Sequence, residues 1–212
     1  MAQPAREDEV LLIARSQRGD VSAFNQLVLH YQQAVYNVVL RVLGDREIAA
    51  DITQETFLAA FRSIQMFRGG PSFRAWLLRI ASNQAYDHWR RTHRHPVDSL
   101  ESMTENEESY SSEAISSLID TEQAVNPEEA LLSSELQAVI QQGLEQLPLD
   151  QRVAIVLCDI QGLSYEEIAI TTQTTMGTVR SRIARGRERL RKYLQKHREL
   201  LPGNYRLHTD RE

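Results

Sequence analysis

Four residues in the last third of the chain, Arg180, Ser181, Ala184 and Arg185, alternate long cations with small side chains inside the run Thr178-Val179-Arg180-Ser181-Arg182-Ile183-Ala184-Arg185-Gly186-Arg187. A guanidinium group is a planar fork that can engage guanine O6 and N7 or a phosphate, so the chemistry this pattern offers is recognition of DNA. Setting Thr178 to Leu194 on a helix at about 100° per residue collects Val179, Ile183, Gly186 and Leu190 on one stripe, which must face a core. The opposite face carries Arg180, Ser181, Ala184 and Arg185, with Thr178 at its start. Ser181 and Ala184 permit close approach, and Arg180 and Arg185 have the reach for base edges. Arg182, Arg187 and Arg189 fall on the flanks, where they can pair with phosphates.

A basic helix face alone equally describes a solvated surface. The residues ahead of it narrow the choice. Ser164-Tyr165-Glu166-Glu167 is a capping box that starts a short helix through Ile168 and Ala169. A Thr-rich turn from Thr171 to Thr175 follows, and a supporting helix from Asp150 to Asp159 precedes, ending at Gly162. This is the helix-turn-helix order that presents its second helix to a major groove.

The rest of the chain also shows helical spacing of apolar residues and no sustained alternation, so the expected fold class is all-α. A helix from about Glu7 stops at Gly19. A second, capped by Asp20, carries Phe24, Leu27, Val28, Tyr31, Val35, Val38 and Val42 on one side until Gly44. Asp45 caps a third reaching about Ile64. After the turn Met66-Phe67-Arg68-Gly69-Gly70-Pro71, Ser72 caps a fourth that runs to His95 before Pro96. Asn126-Pro127-Glu128-Glu129 announces a further helix, with Leu132, Leu136, Val139, Ile140 and Leu144 as its apolar stripe, broken at Leu147-Pro148.

Charge divides the chain in the same places. Residues 1–95 hold twelve basic and nine acidic side chains, residues 96–135 hold eleven acidic and no basic ones, and residues 136–212 again hold twelve and nine, within an overall charge of −5. The expected organisation is a four-helix domain over 1–95, a flexible acidic linker over 96–126, a helix-turn-helix domain over 127–196 and a tail over 197–212. The linker's charge suits passage through a basic channel as well as it suits a solvated spacer. With Cys158 the single cysteine, an intrachain disulfide and a Cys-rich zinc site are excluded. The start of the chain lacks a signal-peptide core, and no apolar run reaches membrane-spanning length, so a cytoplasmic protein without membrane contact of its own is expected. His88, His93 and His95 sit among arginines without a carboxylate or thiolate ligand, so no metal and no cofactor is expected.

Gly162-Leu163-Ser164-Tyr165-Glu166-Glu167-Ile168-Ala169 followed by Gly177-Thr178-Val179-Arg180-Ser181-Arg182 resembles region 4 of the extracytoplasmic-function sigma factors of the sigma-70 family. Asp51-Ile52-Thr53-Gln54-Glu55-Thr56-Phe57 resembles their polymerase-binding helix. Phe67-Arg68-Gly69, with Trp76-Leu77-Leu78-Arg79-Ile80-Ala81-Ser82-Asn83 and Asp87, resembles their minus-ten-reading segment. Gln173 stands at the helix-turn-helix turn, where the family often has Gly.

The resemblance implies that Asp51, Gln54 and Glu55 bind the clamp helices of the largest subunit of core RNA polymerase, with the second domain meeting the flap. It implies that an unstacked base of the minus-ten element is captured between the turn at Phe67 and Arg68 and the helix bearing Asn83, an aromatic and an amide supplying stacking and hydrogen bonds. Arg79, Arg90, Arg91 and Arg94 would hold the DNA backbone, and the helix after Thr178 would read the minus-35 element. Trp76, in register with Phe73, Leu77 and Ile80, reads as core. An anti-sigma factor is a further implied partner, as is promoter DNA, and no enzymatic activity is implied.

Two other functions fit parts of the chain. An autonomous regulator could use the same helix-turn-helix as a dimer without polymerase, although residues 1–95 resemble no ligand or receiver domain. A nucleic-acid enzyme could hold a metal at Asp51 and Glu55, but no second carboxylate cluster or nucleophile-base pair accompanies them.

Overall fold

The computed structural model describes residues 6–69, 72–93 and 127–197, and every regular element among them is helical. Helix α1 (Arg6–Gln17) turns through Gly19 into α2 (Val21–Leu43), whose N-cap Asp20 accepts a hydrogen bond from Ala23 N at 3.1 Å. Arg15 reaches over the corner to the same carboxylate at 2.6 Å. Gly44, at φ +82°, ends α2 with its N–H on Leu40 O, and Asp45 caps α3 (Arg46–Ser63) through Ile48 N. The left-handed backbone at Gly44 is one that L side chains avoid, so the stop is written locally. A single 3-10 turn (Ile64–Met66) leads to α4 (Phe73–His93), whose first turn is capped by Ser72 Oγ accepting from Ala75 N.

α2 is the axis of this first group, packed by α1, α3 and α4. Its Leu27, Val35, Val38 and Val39 are fully enclosed, as are Leu77 and Leu78 of α4. Each such side chain contributes about 1.5–3 kcal/mol of burial free energy, which fixes the direction in which α3 and α4 present their outer faces.

The second group comprises α5 (Pro127–Glu145), α6 (Leu149–Ile155), α7 (Tyr165–Thr172) and α8 (Met176–Gln195). α6 does not end as an ordinary helix. It widens into a π-turn (Val156–Ile160), in which Gln161 N bonds to Val156 O five residues back, before Gly162 closes it at φ +68°. Periodicity does not announce this, because one π-turn shifts the apolar register without breaking it. The capping box at Ser164 is present in full, with Glu167 N on Ser164 Oγ and Ser164 N on Glu167 Oε2. Arg94 and His95, the Gly70-Pro71 turn, the linker, the Asn126 cap and the tail from 198 onward lie outside the described residues.

Candidate nucleic-acid interface

The turn between α7 and α8 is held by Gln173, which takes a left-handed backbone at φ +52°. Its N–H caps α7, and Thr174 N reaches back to Ala169 O at 3.0 Å. A glycine would occupy this conformation without the steric penalty of a Cβ, about 1–2 kcal/mol, so Gln173 holds the turn at a steric cost. Thr175 then caps α8 by accepting from Thr178 N at 3.2 Å. α8 therefore starts at Met176, two residues earlier than its spacing predicts. Thr178 lies in its first turn with its hydroxyl engaged by that of Thr175 at 2.9 Å.

Val179, Ile183 and Gly186 are buried and Leu190 is half-buried, so the inner stripe faces the core. Arg180, Ala184 and Arg185 are exposed, and Ser181, half-buried, donates to Thr178 O. The flanks differ from the outer face. Arg182 pairs with Asp150 at 2.5 Å and Arg187 forks onto Asp159 at 2.5 and 3.1 Å, whereas Arg189 is exposed. Asp159 holds Arg187 all the more firmly protonated. Exposed pairs of this kind are worth about 0–1 kcal/mol, so a phosphate can displace either carboxylate.

Gly186 sets how closely α8 approaches α6. A Cβ there would lie 2.8 Å from Ile155 Cγ1 and 3.2 Å from its Cδ1, and Ile155 is itself buried. Gly186→Ala gains about 1 kcal/mol of helix propensity but overpacks the core at a cost of about 1–3 kcal/mol. The expected net is a loss of up to about 2 kcal/mol, read by urea unfolding. An unchanged or raised midpoint would show that Ile155 moves aside freely.

In the first group, Asp51, Gln54 and Glu55 are all exposed on α3. They share a stripe with Leu58, which is 51% exposed although aliphatic. Beside them an apolar groove runs between α2 and α3, lined by Val21, Phe24, Val28, Gln54, Leu58 and Phe61 among others. Reasoning from carboxylates missed Leu58. The available signal was its position, four residues after Gln54 and outside the apolar stripe of α3.

Phe67 is half-buried, its ring edge-on to Phe73 at 5.4 Å and tilted against Trp76 at the same separation. Gln17 Nε2 bonds to Phe67 O at 2.7 Å and fixes the turn from behind. Trp76 is half-buried in the same cluster, consistent with its reading as core. Asn83 is exposed on α4, seven residues past Trp76, or about 10 Å along the helix axis. Asn83 therefore lies about two helical turns beyond Trp76, the residue against which Phe67 packs. Arg68, Arg90 and Arg91 are exposed and Arg79 is half-buried, spreading cations along this edge.

A family model described as Sigma-70 region 2 matches residues 27–95, and one described as Sigma-70, region 4 matches residues 137–190. The RNA polymerase sigma-H factor of Pseudomonas aeruginosa is 42% identical over 190 residues, spanning 90% of this chain and 95% of that protein. The ECF RNA polymerase sigma-E factor of Escherichia coli K12 is 40% identical over 178 residues, spanning 84% and 90%. Among solved structures, CnrH in complex with the cytosolic domain of CnrY superposes with a TM-score of 0.63 at 26% identity, over 89% of this chain and 98% of that one. The sigma factor RpoE in complex with the anti-sigma factor NepR from Bartonella quintana gives 0.58 at 26%, over 82% and 98%.

Proposed function

The chain belongs to the extracytoplasmic-function sigma factors of the sigma-70 family, and on that premise we propose how its residues divide the work of promoter recognition. It is a transcription initiation factor that directs core RNA polymerase to promoters. Residues 1–95 form the domain that holds core polymerase and reads the minus-ten element, and residues 127–196 form the domain that reads the minus-35 element. The linker over 96–126 joins them. The protein acts in the cytoplasm, where polymerase and chromosome are, and catalyses no reaction itself; bond formation belongs to the enzyme it recruits.

The observation that carries this reading is the separation of two unlike exposed surfaces on one chain. α8 offers DNA the exposed Arg180 and Arg185 on a helix whose other side is buried. α3 offers a protein the stripe Asp51, Gln54, Glu55 and Leu58 beside an apolar groove. A stand-alone regulator needs the first surface and has no use for the second. On α3 the apolar groove and Leu58 supply buried area, while the surrounding polar groups set orientation. Phe67, Arg68, Arg79, Asn83, Arg90, Arg91 and Arg94 form the minus-ten edge. Exposed cations there engage the DNA backbone, and Asn83 is free to read a base displaced from the stack. The flap of the polymerase meets the second domain, and an anti-sigma factor is the partner that withholds these surfaces.

Transcription from a promoter upstream of the chain's own operon, reconstituted with core polymerase, tests the assignment beside a mobility shift without core. Initiated transcript is expected only with core and chain together. Tight, sequence-specific binding by the free chain, with no transcript when core is added, would replace this reading by that of an autonomous regulator.

A further inference from the structure

α1 ends against the turn that follows α3, and its last residues are held in place. Ile13 is buried in the core, and the buried Ser16 donates from Oγ to Leu12 O. Arg15 closes the corner onto Asp20 from Nε at 2.9 Å as well as from Nη2, while Asp20 N returns to Arg15 O at 3.1 Å. Gln17, the last residue of α1, is therefore presented from a fixed point. Its Nε2 donates to Phe67 O at 2.7 Å and to Ile64 O at 3.1 Å. Those two bonds use both hydrogens of the amide. Ile64 O also receives Phe67 N at 3.0 Å, the bond that closes the 3-10 turn. One side chain, 47 positions before Ile64, thus clamps the first carbonyl of the turn and the carbonyl from which the chain leaves for Arg68 and Gly69.

A second arm of the same helix reaches the ring. Glu9 Oε2 accepts from Tyr31 OH at 2.9 Å, the Tyr31 ring lies 5.6 Å from that of Phe73, and Phe73 meets Phe67 edge-on. α1 therefore braces Phe67 twice, at its main chain and through the neighbours of its ring, although the match to region 2 begins only at residue 27. A turn whose sole task was to join α3 to α4 would be closed by its own Phe67 N–H bond. Gly69 follows at φ +76°, and a glycine leaves the chain wide conformational freedom unless the residues before it are held.

We propose that Gln17 is a positioning residue for the minus-ten-reading turn: it holds the Phe67 peptide, and with it the exit toward Arg68, in the arrangement that receives a displaced base. The proposal rests on the assignment of that turn to the minus-ten element. Gln17 touches no DNA in this scheme. It acts by preorganisation, which raises affinity by removing an ordering cost from binding and not by adding a contact. Its effect is therefore confined to the base that the turn receives, whereas an amide that only stabilised the first group would weaken binding to every strand alike.

The test uses full-length protein preformed into holoenzyme with core polymerase, so that differences in core affinity do not enter. The probe is a labelled single strand carrying the nontemplate minus-ten element of the promoter upstream of the chain's own operon, intact or with one base removed at each position in turn. Wild-type holoenzyme is expected to lose affinity at the position whose base is captured. Gln17→Leu has no donor, and Gln17→Glu keeps the length but turns acceptors toward two carbonyls. Each is expected to bind the intact strand about tenfold more weakly, the scale of one or two net hydrogen bonds. Each should bind the strand lacking the captured base as wild type does. A variant that binds the intact strand like wild type, or that loses as much on the strand lacking the base, makes Gln17 an ordinary structural amide and overturns the proposal. If base removal leaves wild-type binding unchanged at every position, the minus-ten assignment itself fails and the proposal falls with it.

Discussion

Replacing Arg180 and Arg185 together by alanine is expected to lower promoter-specific transcription by about 30-fold or more at limiting holoenzyme. Both side chains are exposed on the face of α8 opposite its buried stripe, and neither belongs to an ion pair among the described residues. Their removal leaves Val179, Ile183 and Gly186 in place, so the unfolding midpoint should not move. A good bidentate contact to a base discriminates by about 1–3 kcal/mol, and two such contacts give a loss of about 2–6 kcal/mol. The measurement is transcript yield and promoter affinity of reconstituted holoenzyme, with core affinity as a control. Arg180→Lys with Arg185→Lys separates two readings of these residues. Lysine keeps the charge and loses the fork, so affinity for any DNA should persist while discrimination falls. If the lysine pair were as selective as wild type, the arginines would be touching phosphates only.

The second large effect is expected on α3. Glu55→Arg combined with Leu58→Asp should weaken core polymerase binding by at least 100-fold in a competition assay against wild type, with the α8 surface unaffected. Leu58 is half in solvent already, so an aspartate there costs the free chain little. In a complex the same carboxylate would be buried without a partner, and a mispaired charge inside an interface costs about 2–5 kcal/mol. Asp51→Ala serves as the comparison. It lies on the same stripe, one turn before Gln54 and away from Leu58, and should lose less than tenfold. Equal core affinity for the double variant and wild type would remove α3 as the polymerase face.

What could be read before the structure divides along one physical line. Caps and stops depend on a few adjacent residues, and Asp20, Gly44, Asp45, Ser72, Gly162 and Ser164 all act where their types place them. The face of α8 was legible for the same reason, since a 3.6-residue period needs no partner to be recognised. Its start was misplaced by two residues because Gly177 is a poor helix former and Thr175 is one of several adjacent threonines. The π-turn was not legible, because the apolar run around it is satisfied by either register. The hydrogen bond from Arg74 to Gln161 joins positions 87 apart, each of which looks like an ordinary surface residue. Arg152 left a trace that could have been followed: a lone cation directly ahead of the apolar run from Val153 to Leu157, where a buried charge requires acceptors. The packing of the Phe67 ring against Phe73 and Trp76 was not legible in the turn itself, because Phe73 and Trp76 lie on the far side of the Gly-Gly-Pro segment.

On the proposed assignment, the close approach of Gly186 to Ile155 makes α8 an exchangeable reading head. Its position and tilt are set from the inside, by Val179, Ile183 and a glycine that lets two helices nearly touch. The outward positions 180, 181, 184 and 185 carry none of that responsibility, so their patch, spanning about 8 Å of helix axis at 1.5 Å per residue, can be rewritten freely; it is about as long as two or three base steps at 3.4 Å each. Libraries varied at those four sites should yield folded proteins with new DNA alphabets, whereas libraries that include 186 should yield mostly unstable ones.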